Sequence, residues 1–175
     1  MGEIKSTLDL VMERTRHLSL SAEEKEAQRR EDFGKRLQGL LQQYADGAMP
    51  MDELRDRMAA LGKETGVTGS RLAVKAVLDR IDPDQDNNRW LAFLKHLAPG
   101  LDRPLVALLA AYKEDQAVLL QTGQKQLRDR LCRDHGITGA AVVPNPRRDP
   151  VTQKHLTTLR NETTERVAQL LQEMP

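Results

Sequence analysis

Apolar residues recur along this chain at intervals of three and four, the spacing of helices that turn one face to a core. Ile4, Leu8, Val11, Thr15 and Leu18 predict a first helix. Residues 19–21 interrupt it, and Ser21 with Glu24 has the spacing of a capping box for the next. That second helix begins densely charged and turns apolar at Phe33, Leu37, Leu40, Leu41 and Tyr44. Its first half is expected in solvent and its second half docked. Gly47 supplies a stop. Pro50 opens a third helix whose stripe is Met51, Leu54, Met58 and Leu61, and a fourth is expected from about Ser70 to Ile81. A short fifth carries Trp90, Leu94 and Leu97 and ends at Pro99 and Gly100.

Two longer elements follow. Asp102 and Pro104 are good start residues for a helix that runs to His135, with Gly123 expected to weaken its middle. The last helix, 151–174, repeats Leu156, Leu159, Thr163, Val167, Leu170 and Met174 at coiled-coil-like spacing. Between them, HGITGAAVVPNPRRDP holds three prolines and two glycines, which forbid a continuous helix. Ala140 to Val143 predicts either a strap pinned across the two long helices or an edge that pairs with another chain. Exposure of Val142 and Val143 would favour the second.

These elements predict an all-α fold of about seven helices. Residues 1–46 form N-terminal helices, charged and partly projecting; residues 47–100 form a compact lobe. Residues 101–175 form a long antiparallel hairpin, helices 103–135 and 151–174, joined by an extended Pro- and Gly-containing strap at 136–150. Composition agrees: 3% aromatic residues against 39% hydrophobic leaves a core of Leu, Val, Ala and Met, which suits helix packing better than sheet stacking. A net charge of +1 steers the whole chain towards neither nucleic acid nor an anionic membrane.

Cys132 is the only cysteine, so no intramolecular disulfide forms and a reducing, cytoplasmic setting is the simplest expectation. Cys132 and His135 lie three apart, but one such pair supplies half a structural zinc site. Cys132 is read as a small buried thiol near a helix end. Residues 1–6 fit the loose myristoylation pattern without a second membrane signal, and no membrane association is expected. Residues 82–88 place oxygen side chains at the first alternating positions of an EF-hand loop. Phe93 falls where the bidentate Glu should be, so an acidic helix-capping turn is the preferred reading. Lys125, Arg128, Arg130, Arg133, Arg147 and Arg148 form the most basic region, interrupted by Asp129, Asp134 and Asp149 and without stacking aromatics. No catalytic residue, cofactor motif or metal site is assigned.

One stretch points more directly at a function. In KETGVTGSRLAVKAVL, residues 63–78, Gly66 stands in a turn and Val67 and Leu72 are apolar; just before it, Gly62 is small and Leu61 apolar. Thr68 or Ser70 would cap the helix that follows. Over about twenty residues the segment resembles the helix-turn-helix of bacterial repressors. That resemblance implies a recognition helix presenting Arg71 and Lys75 to DNA. Two departures weaken it: Thr65 and Lys75 stand where apolar residues usually lock the two helices. Asp79, Asp82, Asp84 and Asp86 would also repel a phosphate backbone. GVTG further has the GxxG form of a KH-type nucleic-acid loop, a fold that needs flanking strands. The expectation is therefore a non-enzymatic helical interaction or scaffold protein, binding a protein partner or itself as a homodimer. Val142, Val143, Leu159, Val167 and Leu170 are its candidate contact residues. A helix-turn-helix nucleic-acid-binding regulator is the alternative.

Overall fold

The computed structural model describes residues 21–67 and 69–172. The helix expected at 4–18, the cap position Thr68 and the end of the last stripe at Met174 lie outside the described residues. Among the described residues there are six α-helices, one 3-10 turn and no strand, so the chain is all-α. No described helix is long and apolar enough to cross a membrane.

The chain divides into two compact units between Gly69 and Ser70. That division falls inside the 47–100 segment and puts the third expected helix with the second.

In the first unit, α1 (Ala22–Ala45) starts at the capping box read from sequence. The Glu24 N–H donates to Ser21 Oγ at 3.1 Å, and the Ser21 N–H donates to Glu24 Oε2 at 2.7 Å. Residues 22–32 are exposed, whereas Phe33, Leu37, Leu41 and Tyr44 are buried against α2 (Met51–Thr65) through Leu54 and Leu61. Gly47 (φ 76°) turns the chain in the left-handed region that side chains disfavour. Arg36 crosses from α1 to grip both carboxylate oxygens of Glu64, at 2.7 and 2.8 Å.

In the second unit, α3 (Ser70–Leu78) buries Ala73, Val74, Ala76, Val77 and Leu78. The following α4 (Asn88–Leu97) buries Phe93 and Leu94, and the Arg80 guanidinium lies 5.5 Å from the centre of the Trp90 ring. The long helix α5 (Asp102–His135) and α6 (Pro150–Leu170) form the expected hairpin. Leu101, not Asp102, holds the N-cap position of α5; Asp102 lies inside the first turn and accepts from the Gly100 N–H at 3.3 Å. On α5 the inward stripe is Leu105, Leu109, Tyr112, Gln116, Leu119 and Gly123; on α6 it is Thr152, Leu156, Leu159, Thr163, Val167 and Leu170.

Gly123 does not mark a weak point in α5. A Cβ built there would lie 2.5 Å from Thr152 Oγ1 and 3.2 Å from Pro146 Cβ. Only glycine lets the start of α6 and the 3-10 turn Pro146–Arg148 approach α5 this closely. Asp149 caps α6, taking the Thr152 N–H and hydroxyl on Oδ2, both at 3.0 Å. The Thr152 backbone N–H is the main cause that holds the Asp149 carboxyl below the usual carboxylate range, helped by the Thr152 hydroxyl and Arg130.

Candidate functional site

Four places bear on function. The first is the GVTG corner at residues 66–69. Gly66 ends α2 at φ 67°, the left-handed position that terminates a helix. Gly69 answers a different need: a Cβ there would lie 2.2 Å from Phe33 Cζ, so the chain passes edge-on over that buried ring. The two glycines of GVTG therefore meet separate needs, Gly66 one of backbone conformation and Gly69 one of packing, with no strand beside them among the described residues. Thr65 donates its hydroxyl to the Leu61 carbonyl (2.8 Å), closing the helix with a polar bond where the repressor pattern has an apolar contact. Ser70 is the first residue of α3, and α2 and α3 belong to different compact units. Arg71 Nη2 donates to the Leu171 carbonyl at 3.2 Å, tying α3 to the end of α6. Lys75 pairs with Asp79 at 2.8 Å, one turn on. Both of those side chains are more than half exposed, where such a pair contributes little.

The second is the acidic turn after α3. Asp82 receives Arg160 Nη2 at 3.0 Å, and Asp84 lies 3.5 Å from Arg160 Nε. Asp84 Oδ1 also accepts from the Tyr112 hydroxyl at 2.6 Å and from Gln116 at 2.9 Å. Asn87 is buried, donates to the Asp82 carbonyl (2.7 Å) and accepts from the Asp82 N–H (3.2 Å). Asp86 accepts from the Asn88 N–H at 2.9 Å. The oxygens that an EF-hand would aim at calcium are thus spent on the fold. The Tyr112 hydrogen bond, with Gln116, Arg160 and Arg147, lowers the Asp84 pKa against the opposing effect of burial. Burial first, then Asp84 as acceptor and as charge, pushes Tyr112 up to about 12. This cluster staples the turn to both arms of the hairpin. Sequence reading assigned none of Tyr112, Gln116 and Arg160. The available signal was two polar residues, four apart, interrupting the apolar stripe of α5.

The third is the strap. Gly136 (φ 63°) ends α5, and the Ile137 N–H donates back to the Leu131 carbonyl at 3.2 Å. Arg128 Nη2 donates to the Val142 carbonyl at 3.1 Å, and the Val142 N–H bonds Gly139 in a turn. The strap is therefore pinned along its own helix, yet its side chains are not covered. Val142 is half-buried, Val143 is 69% exposed, and Ile137 and Val151 are 45% and 51% exposed. Cys132 is also exposed, which corrects its reading as a buried thiol. α5 runs past the start of α6 by about three turns, and the strap covers only one side of that overhang. By contrast Val167 is buried and Leu159 and Leu170 half-buried on the inward stripe of α6, so those three face their own unit.

The fourth is a groove of about 400 Å³ between α1 and α2, lined by Arg36, Gly39, Leu40, Gln43, Arg57 and Glu64. Its charged groups are already matched, Arg36 with Glu64 and Arg57 with Glu53. Among the described residues no three His, Cys, Asp or Glu side chains gather as metal ligands would. Comparison with protein families, curated proteins and solved structures finds no match to the chain.

Proposed function

We propose that the chain is a non-enzymatic helical interaction module that engages a protein partner or a second copy of itself through the strap end of its long hairpin. One observation carries this reading: Val143 is 69% exposed on a backbone that Arg128 holds in place at Val142. Most exposed aliphatic residues are scattered singly and need no explanation. Here Ile137, Val143 and Val151 lie within fifteen residues, the first two on a segment fixed at both ends by a helix cap and the third in the first turn of α6. The N–H groups of Val143 and Asn145 meet no acceptor among the described residues. Pro144 interrupts that edge, so strand addition offers few ladder bonds and side chains supply most of the contact.

The nucleic-acid alternative has less support. Arg71 is committed to a carbonyl of its own unit, and Lys75 stands beside Asp79. Photo-cross-linking tests the preferred reading. A benzophenone side chain at position 143 should give discrete protein adducts in a lysate of the cells that make the chain. The same group at Gln121, on exposed α5 surface, should give none. Equal labelling from both positions, or none from 143, overturns the reading.

A further inference from the structure

The strap end also carries charge, and its sign constrains what can dock there. Residues 124–149 hold six Lys and Arg against three Asp, in a chain whose net charge is only +1. The rest of the molecule is therefore slightly acidic. The fold brings the two halves of this basic region together, because the strap doubles back along α5. Ile137 is bonded at the level of Leu131, Val142 at Arg128, and Pro146 and Thr152 pack at Gly123. From 131 to 123 is about 12 Å of helix. Along that length and the turn of α5 just beyond it, three exposed aliphatic side chains stand among six exposed cationic ones.

The balance of unspent charge is also positive. Asp149 is buried and used as the cap of α6, 3.7 Å from Arg130. Lys125, Arg133 and Arg148 form no ion pair among the described residues. Only Asp129 and Asp134 offset them within the segment.

We infer that the strap end receives an acidic amphipathic segment of another protein, with apolar side chains against Ile137 and Val143 and carboxylates towards Lys125, Arg133 and Arg148. The inference rests on the interaction reading above and narrows its partner. A second copy is disfavoured because a two-fold contact would set this basic surface against itself. Duplex or single-stranded nucleic acid would meet the cations but leave the aliphatic residues unmatched. No Phe, Tyr or Trp lies between 124 and 151 to stack on a base.

Fluorescence anisotropy with the full chain and short labelled probes tests this. One peptide carries Leu on one helical face and Glu on the other; a second replaces each Leu by Gln at the same charge; the third probe is duplex DNA. The first should bind about tenfold more tightly than either of the others at moderate salt. Ile137→Ser with Val143→Ser should remove that preference while leaving the helical circular dichroism unchanged. Arg133→Ala with Arg148→Ala should weaken binding and flatten its salt dependence. Equal binding of the Gln peptide or of DNA overturns the inference, because charge alone then suffices. So does a concentration-dependent dimer that Val143→Ser dissolves, which makes the occupant a second copy. If no acidic peptide binds while position 143 still cross-links a protein, the acidic class is wrong and the interaction reading stands. If both fail, both fall.

Discussion

Gly123→Ala sets two effects of opposite sign against each other. In an exposed helix interior, replacing Gly by Ala stabilises by about 1 kcal/mol through helix propensity. At position 123 the added methyl would stand 2.5 Å from Thr152 Oγ1 and 3.1 Å from Thr152 Cγ2. Thr152 cannot swing away cheaply, since it is buried and its hydroxyl and N–H both hold the capping Asp149. Overpacking of this kind costs about 1–3 kcal/mol, so the variant should be less stable by about 1 kcal/mol. Urea unfolding followed by Trp90 fluorescence measures it, because Trp90 is the only tryptophan and lies in the same unit as the hairpin. Thr152→Ala in the same chain should recover much of the loss, giving a favourable coupling of about 1 kcal/mol in a double-mutant cycle. A Gly123→Ala chain more stable than the parent would refute the close-approach account. Strict additivity with Thr152→Ala would show that some other neighbour is responsible.

Tyr112→Phe removes a hydrogen bond to a carboxylate. Asp84 is 37% exposed, so water and Gln116 compensate in part and the loss at neutral pH should be about 1 kcal/mol. Asp84 has a lowered pKa, so its contribution is present above the unfolded carboxylate range and lost as pH falls through its folded value. The cost of Tyr112→Phe should therefore shrink in acid, and a cost independent of pH would contradict the assignment. Gly69→Ala should destabilise the first unit by about 1–3 kcal/mol through contact with Phe33, read by limited proteolysis, with Phe33→Leu relieving it. Arg71→Ala with Lys75→Ala should leave duplex DNA affinity unchanged in a mobility-shift assay; a salt-sensitive loss would restore the repressor-like reading. Cys132 should react with a thiol reagent in the native chain as fast as in denaturant, whereas strong protection would place it in an interface.

Features whose cause lies within one or two helical turns could be read from the sequence. The Ser21–Glu24 box and the stripe from Phe33 to Tyr44 are set by residues three and four apart, and the structure has both. The glycines at 47, 66 and 136 end or follow helices for a reason carried by the residue itself, a positive φ. Gly69 and Gly123 look the same in the sequence but are needed for what arrives from elsewhere: Phe33, thirty-six residues back, and Thr152, twenty-nine ahead. Nothing local announces those neighbours. Asp82 and Asp84 illustrate the same limit. Their spacing invites a cation, while the cation that answers is Arg160, on a helix that begins more than sixty residues later. The exposure of Cys132 likewise depends on how far α5 outruns α6, a length set by the strap and not by the pattern around the cysteine.

That distinction decides how much weight a short motif carries here. The twenty residues resembling a helix-turn-helix match it at Gly62, Gly66 and the apolar positions, which any tight junction between helices also needs. They depart from it at Thr65 and Lys75, the positions that would make the two helices pack on each other. The structure gives each helix a different partner: α2 packs on α1, and α3 packs on α4 and α6. Lys75 alone discriminates poorly, because an exposed pair with Asp79 would give way readily to a phosphate. Arg71 is the better discriminator, since its carbonyl partner at Leu171 holds α3 to the end of α6. The strap end differs in kind. Its exposed aliphatic and unpaired basic side chains are not consumed by the fold, and a surface the fold does not use is where a partner's contribution has to be sought.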